Sequence, residues 1–341
     1  MESQIWTVGV DTHKAGHSAA LVDGLGGVEG VLDVEANRRG YGQLLGWARG
    51  RAGERRWVVE GTGSYGAGLA SYLNQQGEVV YEGDRPLRRK RDGSGKSDQL
   101  DAIKVAREAL AREHHALPRQ RGRREAIRVL MTTRQSAISA SVHGLNQLYA
   151  LVVTAPEPLH ERLIPLRGER LIGACLRLQP RGEVETMVTA SAMRQLARRL
   201  RALQAEAAEY EKQLARQVAA LAPNLLAEPG VGPISAAQLL VSWSHAGRIR
   251  DENAFAAMAG VAPIQASSGK VVRHRLSRFG DRQLNRALHT VALSRSQNHL
   301  ETKAYIARRT AEGKSTREIR RCIKRYLSRR FFRLLQRLDN P

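Results

Sequence analysis

In the first hundred residues, apolar positions come in short blocks broken by glycines and polar residues. Ile5, Trp6, Val8 and Val10 make a run that ends on a carboxylate, Asp11. SAALVDG and VEGVLDVEA read as two further strands, divided by the glycines of DGLGG. YGQLLGWARG reads as a short helix. RRWVVE reads as a buried strand that ends on Glu60, just before a glycine-rich turn. GLASYLNQQG is helical to Gly77, and EVVYEG is one more strand. LRRKRDGSGKS (87–97) reads as a flexible loop. KSDQLDAIKVAREALAREH follows as a strong helix, with Ser97 placed to cap it and an apolar stripe of Leu100, Ile103, Val105, Ala106 and Leu110. Three strands, then helix, strand, helix, strand and helix predict an α/β domain with a mixed sheet over residues 1–115.

Beyond it the period changes from two to 3.6. Residues 120–222 predict a helical region. Leu196, Leu200, Leu203, Ala207, Tyr210, Leu214 and Leu221 recur in alternating steps of four and three, with Gln217 at the one missing place. That is a heptad seam long enough for a coiled coil, or for a helix packed inside one subunit. Residues 223–341 predict a second, mainly helical domain. It closes on the basic amphipathic helix REIRRCIKRYLSRRFFRLL, with Ile319, Ile323, Leu327, Phe331 and Leu334 on one side.

Charge alters the picture. Lys and Arg number 55 against 33 Asp and Glu, a net +22 in 341 residues. Such an excess points to a polyanionic partner, first of all nucleic acid. An anionic membrane is the competing reading. No apolar run approaches the ~18 residues needed to span a bilayer, and the N-terminus runs straight into the first strand rather than through a signal peptide. Cys175 and Cys322 are far apart, and neither has His or Cys neighbours at metal-ligand spacing. They read as reduced thiols of a cytoplasmic protein and argue against zinc.

Four acids stand out. Asp11 and Glu60 each interrupt an apolar strand before a small-residue turn. Asp98 and Asp101 share one face of a helix's first turn. The C-terminal ends of strands in such a sheet share an edge, so the four can converge. Singly, each reads as a cap or turn residue, and Asp98 and Asp101 as partners of the helix dipole. Together they cannot stay ionised without cations, and hard oxygen donors suit Mg2+ or Mn2+. His13 and Lys14 read as solvated.

Two further stretches carry chemistry. EPGVGPISAAQLL looks like the hairpin of a helix-hairpin-helix motif. Gly230 and Gly232 would let backbone N–H groups approach a phosphate, and a helix would start near Ser235. QASSGKVVRHRLSR places Ser267 and Ser268 before Gly269, with Lys270, Arg273, Arg275 and Arg278 behind them. A serine there either bonds DNA phosphates or, with arginines and a metal stabilising developing charge, attacks one.

GVDTHK, VVEGTGSYGAGLASYL and GKSDQLDA resemble the DEDD transposases of bacterial insertion sequences, the one-hundred-and-ten group. The resemblance extends over residues 5–110 and 224–335. It implies a RuvC-like, ribonuclease-H-like N-terminal domain whose acidic quartet is Asp11, Glu60, Asp98 and Asp101, holding Mg2+ or Mn2+. It also implies a transposase domain with Ser268 as nucleophile. The implied activity is RNA-guided, site-specific recombination through a covalent serine–DNA intermediate. The implied partners are donor and target double-stranded DNA, a structured bridge RNA, and further copies of the chain as a dimer of dimers. The place is the bacterial cytoplasm, at the nucleoid. Two other readings stand beside it: a metal-dependent junction resolvase or nuclease in which water attacks, and a non-enzymatic nucleic-acid-binding protein.

Overall fold

The computed structural model describes residues 5–83, 97–112, 114–119, 121–265, 274–275 and 279–339. The predicted loop 87–97 lies outside these except for Ser97.

Five strands form the first sheet: β1 (Trp6–Thr12), β2 (Gly16–Val22), β3 (Val28–Glu35), β4 (Arg55–Glu60) and β5 (Val79–Gly83). Their spatial order is β3-β2-β1-β4-β5. The two hairpin pairs, β1–β2 and β2–β3, are antiparallel, while β1–β4 and β4–β5 are parallel. The parallel pairs follow from helical crossovers: α1 (Arg38–Arg49) joins β3 to β4, and α2 (Ala67–Gln75) joins β4 to β5. The predicted order of elements holds throughout, and the mixed α/β class with it.

Alternation along the strands divides the sheet's two faces. Val8, Val10, Ala19, Leu21, Trp57 and Val59 belong to the core that includes Leu44 and Leu45 of α1 and Leu69 and Leu73 of α2. The opposite face takes α3 (Asp98–Leu110), through Ala20, Val22, Val58, Ala102, Val105, Ala106 and Ala109. The stripe of α3 therefore differs from the predicted one. Leu100 is 42% exposed, and the buried line is Ala102, Val105, Ala106 and Ala109. The reason is close approach. A Cβ on Gly9 would lie 2.4 Å from the Ala106 amide nitrogen and 2.5 Å from the Ala102 carbonyl oxygen. A helix seated that tightly on a strand has room only for small side chains. Gly9→Ala should lift α3 off β1, lowering the urea midpoint by about 1–3 kcal/mol of stability and moving the first turn of α3. A wild-type midpoint would show that the helix does not lie against Gly9. Ser97 occupies the N-cap position of α3 with extended backbone, but its side chain makes no cap bond.

The chain forms two compact units. The first comprises the residues up to Arg121, together with Trp243–Met258 and the end of the chain from Phe332. Within it, Trp243 meets Phe255 and Phe332 edge-on at 6.2 and 5.4 Å and donates from Nε1 to Asp339 Oδ2 at 2.7 Å. His245 Nε2 comes within 3.0 Å of Glu82 Oε2.

The second unit, Gly122–Ser242 and Ala259–Phe331, is mostly helical. Its first helices are α4 (Arg123–Val153), the short α5 (Glu157–Leu163) and α6 (Gly168–Leu176), and the long α7 (Val184–Leu221), which carries the heptad seam. The seam is covered within the chain. Leu196 and Leu200 join Leu148 and Val152 of α4 in one core, and Leu200 seats against Gly144. Ala207 and Leu214 are buried too, whereas Leu203, Tyr210 and Leu221 are half-buried. The last helix runs Thr316–Asp339, with Ile319, Ile323, Leu327 and Phe331 buried as predicted. The stripe continues to the buried Leu335 rather than Leu334, following a constant step of four. Among the described residues no helix is long and apolar enough to cross a membrane.

Candidate functional site

The register of the sheet assembles the acids. Val10 pairs with Val59, so the next residues, Asp11 and Glu60, stand side by side at the C-terminal ends of β1 and β4. Asp11 also pairs with Ser18, and Ser18 with Asp33. Asp33, Ser18, Asp11 and Glu60 thus form one row across four strands. Alternation puts that row on the α3 face, opposite Val10 and Val59. Thr12 ties the two central strand ends together, its Oγ1 donating to the Glu60 carbonyl at 2.9 Å. Ser18 donates to Asp33 Oδ1 at 2.6 Å, and Gln99 of α3 donates to Asp33 Oδ2 at 2.7 Å. A cleft of about 560 Å3 opens beside the row, lined by His13, Ser18, Asp33, Asp98 and Gln99 among others.

The first turn of α3 brings in Asp98 and Asp101. His13 Nε2 lies 3.0 Å from Asp11 Oδ2 and 3.4 Å from Asp98 Oδ1. Asp101 accepts from Lys104 at 2.8 Å. Among the described residues, Asp11, His13 and Asp98 are the group whose ligand atoms all fall within 4.8 Å of one another. Glu60 and Asp101 stand outside that radius. His13, expected from the sequence to be solvated, is exposed and also reaches the acids. Its side chain is 46% exposed, yet it bridges two of the four acids. The signal was present in its position two residues after Asp11, on the hairpin turn, where His13 N donates to Gly16 O at 3.0 Å.

Asp11 is 7% exposed. Burial pushes its carboxyl above the ordinary value; His13 draws it back down, and Asp101 and Asp98 push it up again. A buried carboxylate whose charge is resisted by its surroundings and by two more acids gains from a cation. The donors here, carboxylate oxygens with one imidazole, fit a divalent ion of the Mg2+ or Mn2+ kind.

The hairpin EPGVGP lies in the second unit. α8 (Pro223–Leu226) precedes it, and α9 (Pro233–Trp243) begins two residues before the predicted start near Ser235. Gly230 has φ +76°, a left-handed conformation that glycine adopts without strain. Glu228, 8% exposed, anchors the turn. It accepts from Arg295 at 2.8 Å and from Arg330 at 2.5 and 2.7 Å, and Arg295 also donates to the Pro229 carbonyl at 2.7 Å. Burial alone would raise the Glu228 carboxyl, but the bonds from Arg330 and Arg295 outweigh it and hold it below the ordinary value. The sequence reading missed this triad, because its members are spread over a hundred residues. Gly232 has open space where a Cβ would stand.

Ser267, Ser268, Gly269, Lys270, Arg273 and Arg278 lie outside the described residues. The described residues nearest them in sequence form β6 (Ile264–Gln265) and β7 (His274–Arg275), an antiparallel pair in which Arg275 pairs with Ile264.

Two family models match the chain. A family model described as a transposase, of the DEDD IS110 type, matches residues 8–155, which include the whole acidic row and the first turn of α3. A second, described as the Transposase IS116/IS110/IS902 family, matches residues 222–307, from the EPGVGP hairpin through the serine segment. No curated protein matches the chain. Two models of one family, in the expected order and covering more than half of the sequence, establish that this chain belongs to the IS110 family of DEDD transposases, enzymes that cleave and recombine DNA.

Proposed function

We propose that this transposase is an RNA-guided, site-specific recombinase that cleaves and rejoins DNA through a covalent serine–DNA intermediate. The observation that carries the proposal is the row Asp33–Ser18–Asp11–Glu60 facing Asp98 and Asp101, in a chain whose second family match spans a serine–glycine segment rich in arginine. In this reading Asp11, Glu60, Asp98 and Asp101 hold Mg2+ or Mn2+. The bound ion would stabilise charge on a scissile phosphate and its leaving oxygen. Ser268 Oγ attacks phosphorus as the bond to the DNA 3′- or 5′-oxygen breaks. The phosphodiester is conserved as a serine ester, so rejoining needs no external energy source. Lys270, Arg273, Arg275 and Arg278 would neutralise the phosphate, and the N–H groups around Gly230 and Gly232 would hold the DNA backbone.

A trapping assay tests the nucleophile. Protein, flanking RNA, donor DNA and magnesium are mixed, denatured and run on a gel. A DNA-linked protein band should appear with wild type and Ser267→Ala and vanish with Ser268→Ala. Cleaved DNA free of protein, unaffected by Ser268→Ala, would instead establish water as the attacking group.

The net +22 supports partners held through their phosphates: a bridge RNA and two DNA duplexes. Sequence choice would then lie in base pairing to the RNA. RNA affinity should fall about 10³-fold or more between 50 and 200 mM salt if six to ten phosphates are neutralised; a flat salt titration would refute the electrostatic account. Two duplexes call for a homo-oligomer, a dimer of dimers in this reading. Because Leu196, Leu200 and Leu214 are buried within the chain, its contacts would use other surfaces than the centre of the heptad seam.

A further inference from the structure

One donor in the acidic cluster is not an oxygen. His13 Nε2 faces Asp11 Oδ2 at 3.0 Å and Asp98 Oδ1 at 3.4 Å. Ions of the Mg2+ and Mn2+ class favour octahedral coordination with bonds of about 2.1 Å, which sets adjacent corners about 3.0 Å apart. His13 Nε2 stands one such edge from Asp11 Oδ2 and slightly more from Asp98 Oδ1, and the ligand atoms of all three residues lie within 4.8 Å of one another. They also come from three differently anchored places. Asp11 is buried at a strand end, Asp98 opens a helix, and His13 sits on a hairpin turn fixed by its own backbone bond to Gly16. The imidazole is 46% exposed, and its Nε2 is turned to the two carboxylates.

We infer that His13 is a direct nitrogen ligand of the divalent ion held by Asp11 and Asp98, and that it biases the site toward Mn2+ over Mg2+. The inference rests on the metal-site reading above and adds to it the identity of a ligand and a preference between ions. The chemistry behind the preference is general. Mg2+ takes oxygen donors and gives up water reluctantly, whereas an imidazole nitrogen gains affinity on going to a transition metal. An all-carboxylate site would not make that distinction as strongly.

The test uses the full-length protein and Mn2+ itself. Binding is followed by electron paramagnetic resonance, with Mg2+ as competitor, and nitrogen coupling to the bound ion is read by a pulsed experiment. Wild type should show a histidine nitrogen coupled to Mn2+. His13→Gln should lose that coupling and bind Mn2+ about tenfold more weakly, with a smaller change for Mg2+. Circular dichroism should be unchanged, since the side chain is surface-lying. Absence of nitrogen coupling in wild type, its persistence in His13→Gln, or an equal loss of Mn2+ and Mg2+ affinity would each overturn the inference. Asp11→Asn separates the two levels. If it abolishes Mn2+ binding while wild type lacks nitrogen coupling, the metal site stands and His13 is removed from it. If it leaves Mn2+ binding intact, the metal-site reading fails and the inference with it.

Discussion

Asp11→Ala should cut strand cleavage in magnesium by about 10²–10³-fold or more, while leaving RNA and DNA binding within a few-fold of wild type. The magnitude follows from what the residue is placed to do. Asp11 is the buried centre of the row, paired with Ser18 on one side and beside Glu60 on the other, and bridged by His13 to Asp98. Without it the remaining acids are too exposed to hold an ion in place: Asp98 is 50% and Asp101 30% exposed at the side chain. Removing electrostatic stabilisation of a transition state costs about 3–4 kcal/mol or more, and each 1.4 kcal/mol is tenfold in rate. The fold should survive. Burial already disfavours the ionised Asp11 carboxylate, so its loss removes a strained charge rather than a support. Asp11→Asn keeps the shape and should be as inactive as alanine. Cleavage of labelled donor DNA, alongside gel-shift binding and a thermal melt, reads all three quantities. Full cleavage by either variant would sink the assignment of the metal site to this row.

Glu228→Ala should destabilise the fold by about 3 kcal/mol. Alanine leaves Arg295, 10% exposed at the side chain, with a buried charge and no carboxylate. Breaking a buried pair by removing one partner costs about 3–5 kcal/mol, and the lower end applies because Arg330 remains 59% exposed and can be solvated. The pH dependence has a definite sign. The carboxyl of Glu228 is held below its ordinary value of 4.5, so its contribution is present above that pH and lost as the pH falls below it. In wild type, urea stability should therefore decline below about pH 4.5 more steeply than in Glu228→Ala. The variant should also bind DNA more weakly at neutral pH, since Arg295 holds the Pro229 carbonyl next to Gly230 in the hairpin. Unchanged stability would mean that the hairpin is held by its apolar contacts alone.

Much of the N-terminal unit was legible from local pattern. Every strand and helix from Trp6 to Leu110 appears in the predicted order, because short alternating blocks bounded by glycines have few other solutions. Asp11, Glu60, Asp98 and Asp101 stand out in the residue pattern and again in the family resemblance; the sheet register sets Asp11 beside Glu60, while Asp98 and Asp101 lie in the first turn of α3. Other features were not legible. The apolar stripe of α3 was drawn through Leu100 because leucine is the more hydrophobic choice; the structure uses alanines because Gly9 admits the helix so closely. His13 is exposed as its polar surroundings in the chain suggest, but its place two residues after Asp11 does not by itself show that it reaches Asp98, which is 85 residues on.

Element order, the α/β class of the first unit, the basic load and the four acids as candidates are all legible in the chain, because each is marked by composition or by its own immediate neighbours at a strand end or helix start. What covers the heptad seam, which residues join Asp11 in space, and where distant segments are used emerge only once the chain is folded. Leu200 meets Gly144, Glu228 meets Arg295 and Arg330, and Trp243–Met258 returns to the first unit. The reason is physical. Periodicity states that a face must be buried but is silent on what buries it, since that choice depends on contacts closed across a hundred residues of chain and on the fit of the surfaces that meet.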